Sequence, residues 1–111
     1  MTTETDVRRI ALSLPEAREE PHFELTSFRV AGKIFCTLGA EPGRIMLKLD
    51  PEDQANLVGD DPAAIQPVPG YWGQKGSTYV RYEALEEARL AVLLRLAWAT
   101  VAPKRLSRLS G

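Results

Sequence analysis

The spacing of apolar residues changes period several times along the chain, and each change marks an element. Val7, Ile10, Ala11 and Leu14 recur at intervals of three and four, the stripe of one helical face. Thr3 followed three residues later by Asp6 resembles a capping box, so a first helix is predicted from about Glu4 to Ser13, closed by Pro15. Glu16, Glu19, Glu20 and Pro21 then read as a solvated connection.

From Phe23 onward the period shortens to two. Ser27-Phe28-Arg29-Val30 and Lys33-Ile34-Phe35-Cys36-Thr37-Leu38 are rich in β-branched and aromatic residues, with only Ala31-Gly32 between them. That pattern predicts a tight hairpin with Phe28 opposite Phe35. Ala40-Glu41-Pro42-Gly43 supplies a second turn, Pro presetting φ and Gly admitting positive φ, before a strand over Arg44-Ile45-Met46-Leu47-Lys48-Leu49. Asp50-Pro51-Glu52-Asp53 joins an N-cap, a proline at the first helical position and first-turn acids. A short helix ending at Gly59 follows from it. The prolines and glycines between Ile65 and Gly73 leave room for one short edge strand in a loop, and strand pattern resumes over Ser77 to Tyr82.

Leu85, Ala88, Val92, Leu96 and Ala99 fall on one helical face, widened by Leu93, with Glu86, Arg89 and Arg95 opposite. A long helix is therefore predicted from about Glu83 to Val101. Pro103 stops it, and Lys104, Arg105 and Arg108 make a basic tail over about 103–111. These elements describe an α+β fold, with the broad apolar face of the long helix packed on a curved antiparallel sheet and the first helix beside it.

Composition narrows the function. The chain has 111 residues, 14 Lys and Arg against 15 Asp and Glu, and a formal net charge of −1. One hydrophobic core and a single domain over residues 1–111 fit that length. The balance excludes a globally basic nucleic-acid packager and an acidic disordered chain alike, so any charge-based function must be local. Cys36 is the only cysteine and His22 the only histidine. An intramolecular disulfide, a zinc site of nitrogen and sulfur ligands and a well-supplied Cys-His pair all lack parts. Met1 to Asp6 is polar and acidic where a signal peptide is basic and then apolar, and Leu90 to Val101 is too short and too interrupted to span a bilayer. The expectation is a cytoplasmic protein with no cofactor, no metal and no membrane partner.

Local chemistry centres on charge and rings. Lys48, Lys75 and Arg81, with Arg29 and Lys33 in the first hairpin, form a basic strip if they share the exposed face of the sheet, and Tyr71 and Trp72 offer flat surfaces to bases. Phosphate contacts supply nucleic-acid affinity and aromatic stacking adds to it. The plainer alternative is that the charges are ordinary solvated strand positions and that Trp72 packs over the edge of the core. The Lys104 to Arg108 tail likewise serves either phosphates or the dipole of the preceding helix.

The order of motifs resembles the MmcQ/YjbR-like family of small bacterial proteins. Carrying the resemblance are Leu14-Pro15 with the acidic connection and Phe23, then Phe28 to Phe35 with its Gly-Lys-x-Phe ending, then Leu47-Lys48-Leu49-Asp50-Pro51. Pro69-Gly70-Tyr71-Trp72 through Lys75, and Ala97-Trp98-Ala99-Thr100-Val101-Ala102-Pro103-Lys104, complete it. The resemblance implies an antiparallel sheet of about five strands with the N- and C-terminal helices packed on one face, a topology similar to the frataxin (CyaY-like) group, together with DNA binding through wing-like hairpins and no catalysis. Frataxin-like iron binding would need acids along the first helix, where only Glu4 and Asp6 stand, offset by Arg8 and Arg9. The expected function is weak DNA binding through Lys48, Lys75, Tyr71, Trp72, Arg81, Arg29 and Lys33. The alternative is a module for a small ligand or protein partner, held in the concavity between the Pro67–Gly76 loop and the sheet.

Overall fold

The computed structural model describes residues 1–109. Helix α1 (Glu4–Ser13) begins on the expected box: the Asp6 amide donates to Thr3 Oγ1 at 3.3 Å and the Thr3 amide donates to Asp6 at 2.9 Å. These bonds, with Arg9 beside the carboxylate, hold Asp6 below its ordinary carboxyl range. Val7, Ile10 and Ala11 are its buried stripe.

Six strands follow in one antiparallel sheet, β1 (Arg18–His22), β2 (Leu25–Val30), β3 (Lys33–Glu41), β4 (Arg44–Lys48), β5 (Ile65–Pro67) and β6 (Ser77–Arg81). Their spatial order is β1-β2-β3-β4-β6-β5. The segment expected as a solvated connection is thus strand β1. It pairs only with β2, and its residues Arg18 to Pro21 are all exposed. An edge strand with neither face in the core carries no alternating apolar signal, which is why its charged sequence conceals it.

The first hairpin turns at Ala31-Gly32 with φ of 51° and 79°, the left-handed pair that matches strand twist. Its register differs from the expected one. Phe28 pairs with Cys36 and Arg29 with Ile34, so Phe35 is an extra residue in a bulge. Phe35 and Cys36 are both fully buried as a result.

Helix α2 (Pro51–Asp60) starts on Asp50, whose carboxylate accepts from the Glu52 amide at 2.9 Å. A single turn of helix, α3 (Tyr71–Gln74), interrupts what was expected to be loop. After a 3-10 turn over Tyr82–Ala84 comes α4 (Glu87–Val101), and α5 (Lys104–Leu109) follows Pro103. The Arg108 side chain and Ser110 lie outside the described residues.

The buried face of α4 is not the one its sequence first suggests. Leu90, Leu93, Leu94, Ala97 and Trp98 face inward, while Val92 is half exposed and Ala88 and Ala99 face solvent. The helix is apolar on two stripes. The one chosen buries an indole and three leucines, a larger apolar area than the alanines and valine of the other. Helix α4 lies across β2, β3 and β4 with α1 beside it. Trp98 is fully buried, and its Nε1–H donates to the Pro15 carbonyl at 3.0 Å, tying α4 to the end of α1.

Candidate nucleic-acid interface

The helices cover one face of the sheet, and the register determines what stands on the other. Cross-strand partners point to the same side. One row of partners runs Glu20, Ser27, Thr37, Met46, Tyr79 and Gln66 across all six strands. It alternates with a core-facing row containing Phe28, Cys36, Leu47 and Thr78. Arg44 stands opposite Arg81 on one side of the open row, and Lys48 opposite Ser77 on the other. About 13 Å of strand separates Arg44 from Lys48.

Lys48, Lys75, Tyr71 and Trp72 come together at one end of this face. The Lys48 ammonium donates to the Lys75 carbonyl at 2.7 Å, and the Lys75 ammonium lies 5.5 Å from the centre of the Tyr71 ring. Tyr71 and Trp72 meet edge-on at 5.3 Å and are 61% and 65% exposed. Trp72 therefore does not pack over the core edge. With both rings turned outward, the concavity expected beneath the Pro67–Gly76 loop is not built on them.

The backbone beneath these rings is fixed. A Cβ on Gly73 would fall 1.7 Å from the Val68 carbonyl oxygen, and one on Gly76, where φ is 111°, would fall 1.8 Å from that of Leu49. Only glycine permits those approaches. Gln54, buried on α2, places its amide nitrogen 3.0 Å from the Gly73 carbonyl, 3.1 Å from that of Ser77 and 3.0 Å from Thr78 Oγ1. Helix α3 is thereby pinned to α2 and β6, and Tyr71 and Trp72 with it.

The remaining expected residues are more scattered. Arg81 stands at the far end of the open face, 3.4 Å from the Glu41 carboxylate. Arg29 falls on the Lys48 end but two strands away, its Nε–H donating to Ser27 Oγ at 3.0 Å and its Nη2 to the Pro21 carbonyl at 3.3 Å. Lys33 pairs with Val30, whose side chain is in the core. Alternation turns Lys33 away from the open row, so it does not join the strip. In the tail, Arg105 pairs with Glu16 at 3.1 Å.

Sequence reasoning missed Arg44, Tyr79 and Gln54. The signal for the first two was present: Arg44, Met46 and Lys48 alternate with Ile45 and Leu47, and Ser77, Tyr79 and Arg81 with Thr78 and Val80. The guanidinium of Arg44 sits 3.8 Å above the Tyr79 ring, a cation–π contact. Gln54 gave no such signal, because a glutamine in a short amphipathic helix is ordinarily solvated.

Cys36 faces the helices, where burial pushes its thiol far above the ordinary range. His22 instead stacks edge-on against Phe23 at 4.9 Å beside the β1–β2 turn. The two therefore do not meet as a dyad.

The YjbR family model matches residues 12–100. The chain belongs to the YjbR family. Among solved structures it is similar to Deinococcus radiodurans protein DR2400, which carries the DUF419 domain, with a TM-score of 0.78 and 24% identity over 98% of this chain and 88% of that one. That likeness concerns the fold. No curated protein sequence matches significantly. Among the described residues of this YjbR-family chain, no helix is long and apolar enough to cross a membrane. Nor does any group of three His, Cys, Asp or Glu side chains come together as a metal site among them.

Proposed function

We propose that this YjbR-family chain is a non-catalytic, cytoplasmic DNA-binding domain that uses the helix-free face of its sheet and prefers unpaired bases. The observation that carries the reading is the pair of outward aromatic rings, Tyr71 and Trp72, held beside Lys48 and Lys75. Stacking needs a ring face that bases can reach, and bases in a duplex are already stacked on one another, so single strands are the better substrate. Lys48 and Lys75 supply phosphate contacts at one end of the face and Arg81 at the other. Net charge does not oppose this, because acids also stand on the helix side, as at the start of α2, where Asp50, Glu52 and Asp53 border a hollow with Leu96, Ala99 and Thr100 of α4.

Fluorescence anisotropy with labelled single-stranded and duplex oligonucleotides at about 50 and 200 mM salt tests the reading. Three phosphate contacts on a single strand give a log–log slope near −2, a loss of roughly twentyfold across that salt range. Binding that is tighter for single strands and weakens on that scale supports the proposal. Absence of binding to either oligonucleotide at the lower salt overturns it.

A further inference from the structure

At the Arg81 end of the open face is a notch of about 190 Å³, lined by Arg44, Ala63, Ala64, Gln66, Tyr79 and Arg81. Its most unusual feature is the pairing of Arg44 directly opposite Arg81 in the β4–β6 ladder. Like charges in that relation sit about 5 Å apart at Cβ and destabilise the pair unless an anion lies between them. Glu41, one residue before the Pro42-Gly43 turn, provides one. Its two carboxylate oxygens divide between the arginines, Oε2 lying 2.7 Å from Arg44 Nη1 and Oε1 lying 3.4 Å from Arg81 Nη2.

A carboxylate spread across two guanidinium groups engages donors that a phosphate takes in a two-arginine clamp, here from outside the notch, since Glu41 borders the neighbouring hollow beside Leu38 and Glu83. Each guanidinium has five N–H donors, and Glu41 engages one from each. Arg44 is held in orientation by the Tyr79 ring beneath it. Ala63 and Ala64 keep the wall low, and the Gln66 carboxamide adds a further polar group to the lining.

We propose that this notch is a phosphate-binding site and that Glu41 is its built-in competitor, displaced when a phosphate group enters. The proposal rests on the DNA-binding reading only for the molecule that carries the phosphate. Glu41, at 43% exposure, and Arg81, at 52%, lie at the water boundary, so the pairing is weak enough to be exchanged for a doubly charged ligand.

The test is a titration followed by two-dimensional NMR of the arginine Nε–H and backbone amide signals. Inorganic phosphate is added at constant ionic strength against a chloride control, and a single-stranded oligonucleotide is added separately. The proteins are the wild type, Glu41→Gln, Arg81→Gln and Glu52→Gln, the last removing one negative charge at the start of α2. Phosphate is expected to move the Arg44 and Arg81 signals. Removing the competitor in Glu41→Gln should tighten phosphate about threefold to fivefold, the reverse of a surface ion pair of up to about 1 kcal/mol. Arg81→Gln should weaken it at least as much, and Glu52→Gln should leave it within a factor of about 1.5. The oligonucleotide should follow the same ranking. Unchanged or weaker phosphate binding in Glu41→Gln overturns the notch. If phosphate does not follow the ranking and the oligonucleotide binds in a salt-sensitive way but ignores both Glu41→Gln and Arg81→Gln, the notch is wrong and the DNA-binding reading survives through Lys48, Lys75, Tyr71 and Trp72. If phosphate follows the ranking while the oligonucleotide does not bind, the notch stands as a site for small phosphorylated molecules and the DNA-binding reading fails.

Discussion

The two faces of the sheet are made by the same strands and yet obey different rules. On the helix side, Ile45, Leu47, Val80 and Ile65 are buried with almost no exposed area where α4 packs on β4 and α2 on β5, and each position is decided by how much apolar surface it removes from water. One residue away along the same strands, Arg44, Met46, Lys48, Tyr79 and Arg81 stand on the open side. There the side chains are arranged by charge and ring contacts, none of which the fold needs for its core. The comparison separates what makes this chain fold from what it offers to a partner, and substitutions on each side should affect different measurements.

The largest expected effect lies on the covered face. Trp98→Ala removes a fully buried indole together with its bond to Pro15 and should cost about 3–5 kcal/mol. Urea denaturation would show it as a lowered midpoint, and a loss below 1 kcal/mol would mean that α4 does not depend on this residue. Gln54→Leu sits where the two faces meet. It removes the Gln54 amide's bonds to Gly73, Ser77 and Thr78, while the Gly73 and Ser77 carbonyls keep the Gly76 and Val68 amides as donors, and should cost about 0.5–1.5 kcal/mol. It should also weaken DNA binding although Gln54 touches no ligand, because α3 loses its anchor. Unaltered binding by a folded variant would dissociate the platform from α2.

On the open face the ranking reverses. Trp72→Ala should leave the urea midpoint almost unmoved, since exposed positions away from special features change stability by less than about 0.5 kcal/mol. Oligonucleotide affinity should fall by about 1–3 kcal/mol in an anisotropy titration. A matching loss of stability would show that the ring belongs to the fold after all. Thr37→Val has the smallest expected effect. Thr37 stands in the open row but is 7% exposed, and its hydroxyl has no hydrogen-bond partner among the described residues. Replacing the hydroxyl with a methyl group should stabilise the chain by up to about 1 kcal/mol. A destabilised variant would place water or a ligand on that hydroxyl.

What the sequence reveals follows the same division. The capping box at Thr3, the Ala31-Gly32 turn and the Asp50-Pro51 start are local devices, each set by two to four neighbouring residues, and they stand where the sequence predicts them. The face chosen by α4 was not legible, because both apolar stripes satisfy helical periodicity and only the facing sheet decides between them. Strand β1 was hidden since its partner is supplied by β2 and its side chains by solvent. Within the candidate interface, Lys48, Lys75, Tyr71 and Trp72 could be named from residue type alone. That Arg44 stands opposite Arg81 follows from a register between two strands distant in sequence, β4 and β6, which no local pattern encodes.

The contrasting positions of the two tryptophans make the molecule its own optical reporter. Trp98 lies in an apolar interior, where indole emission is blue-shifted and soluble quenchers do not reach, whereas Trp72 stands in water. A quencher such as iodide should extinguish the red part of the spectrum and leave the blue part. Unfolding should therefore be read from the blue component and occupancy of the aromatic platform from the red, in one cuvette and without an attached dye.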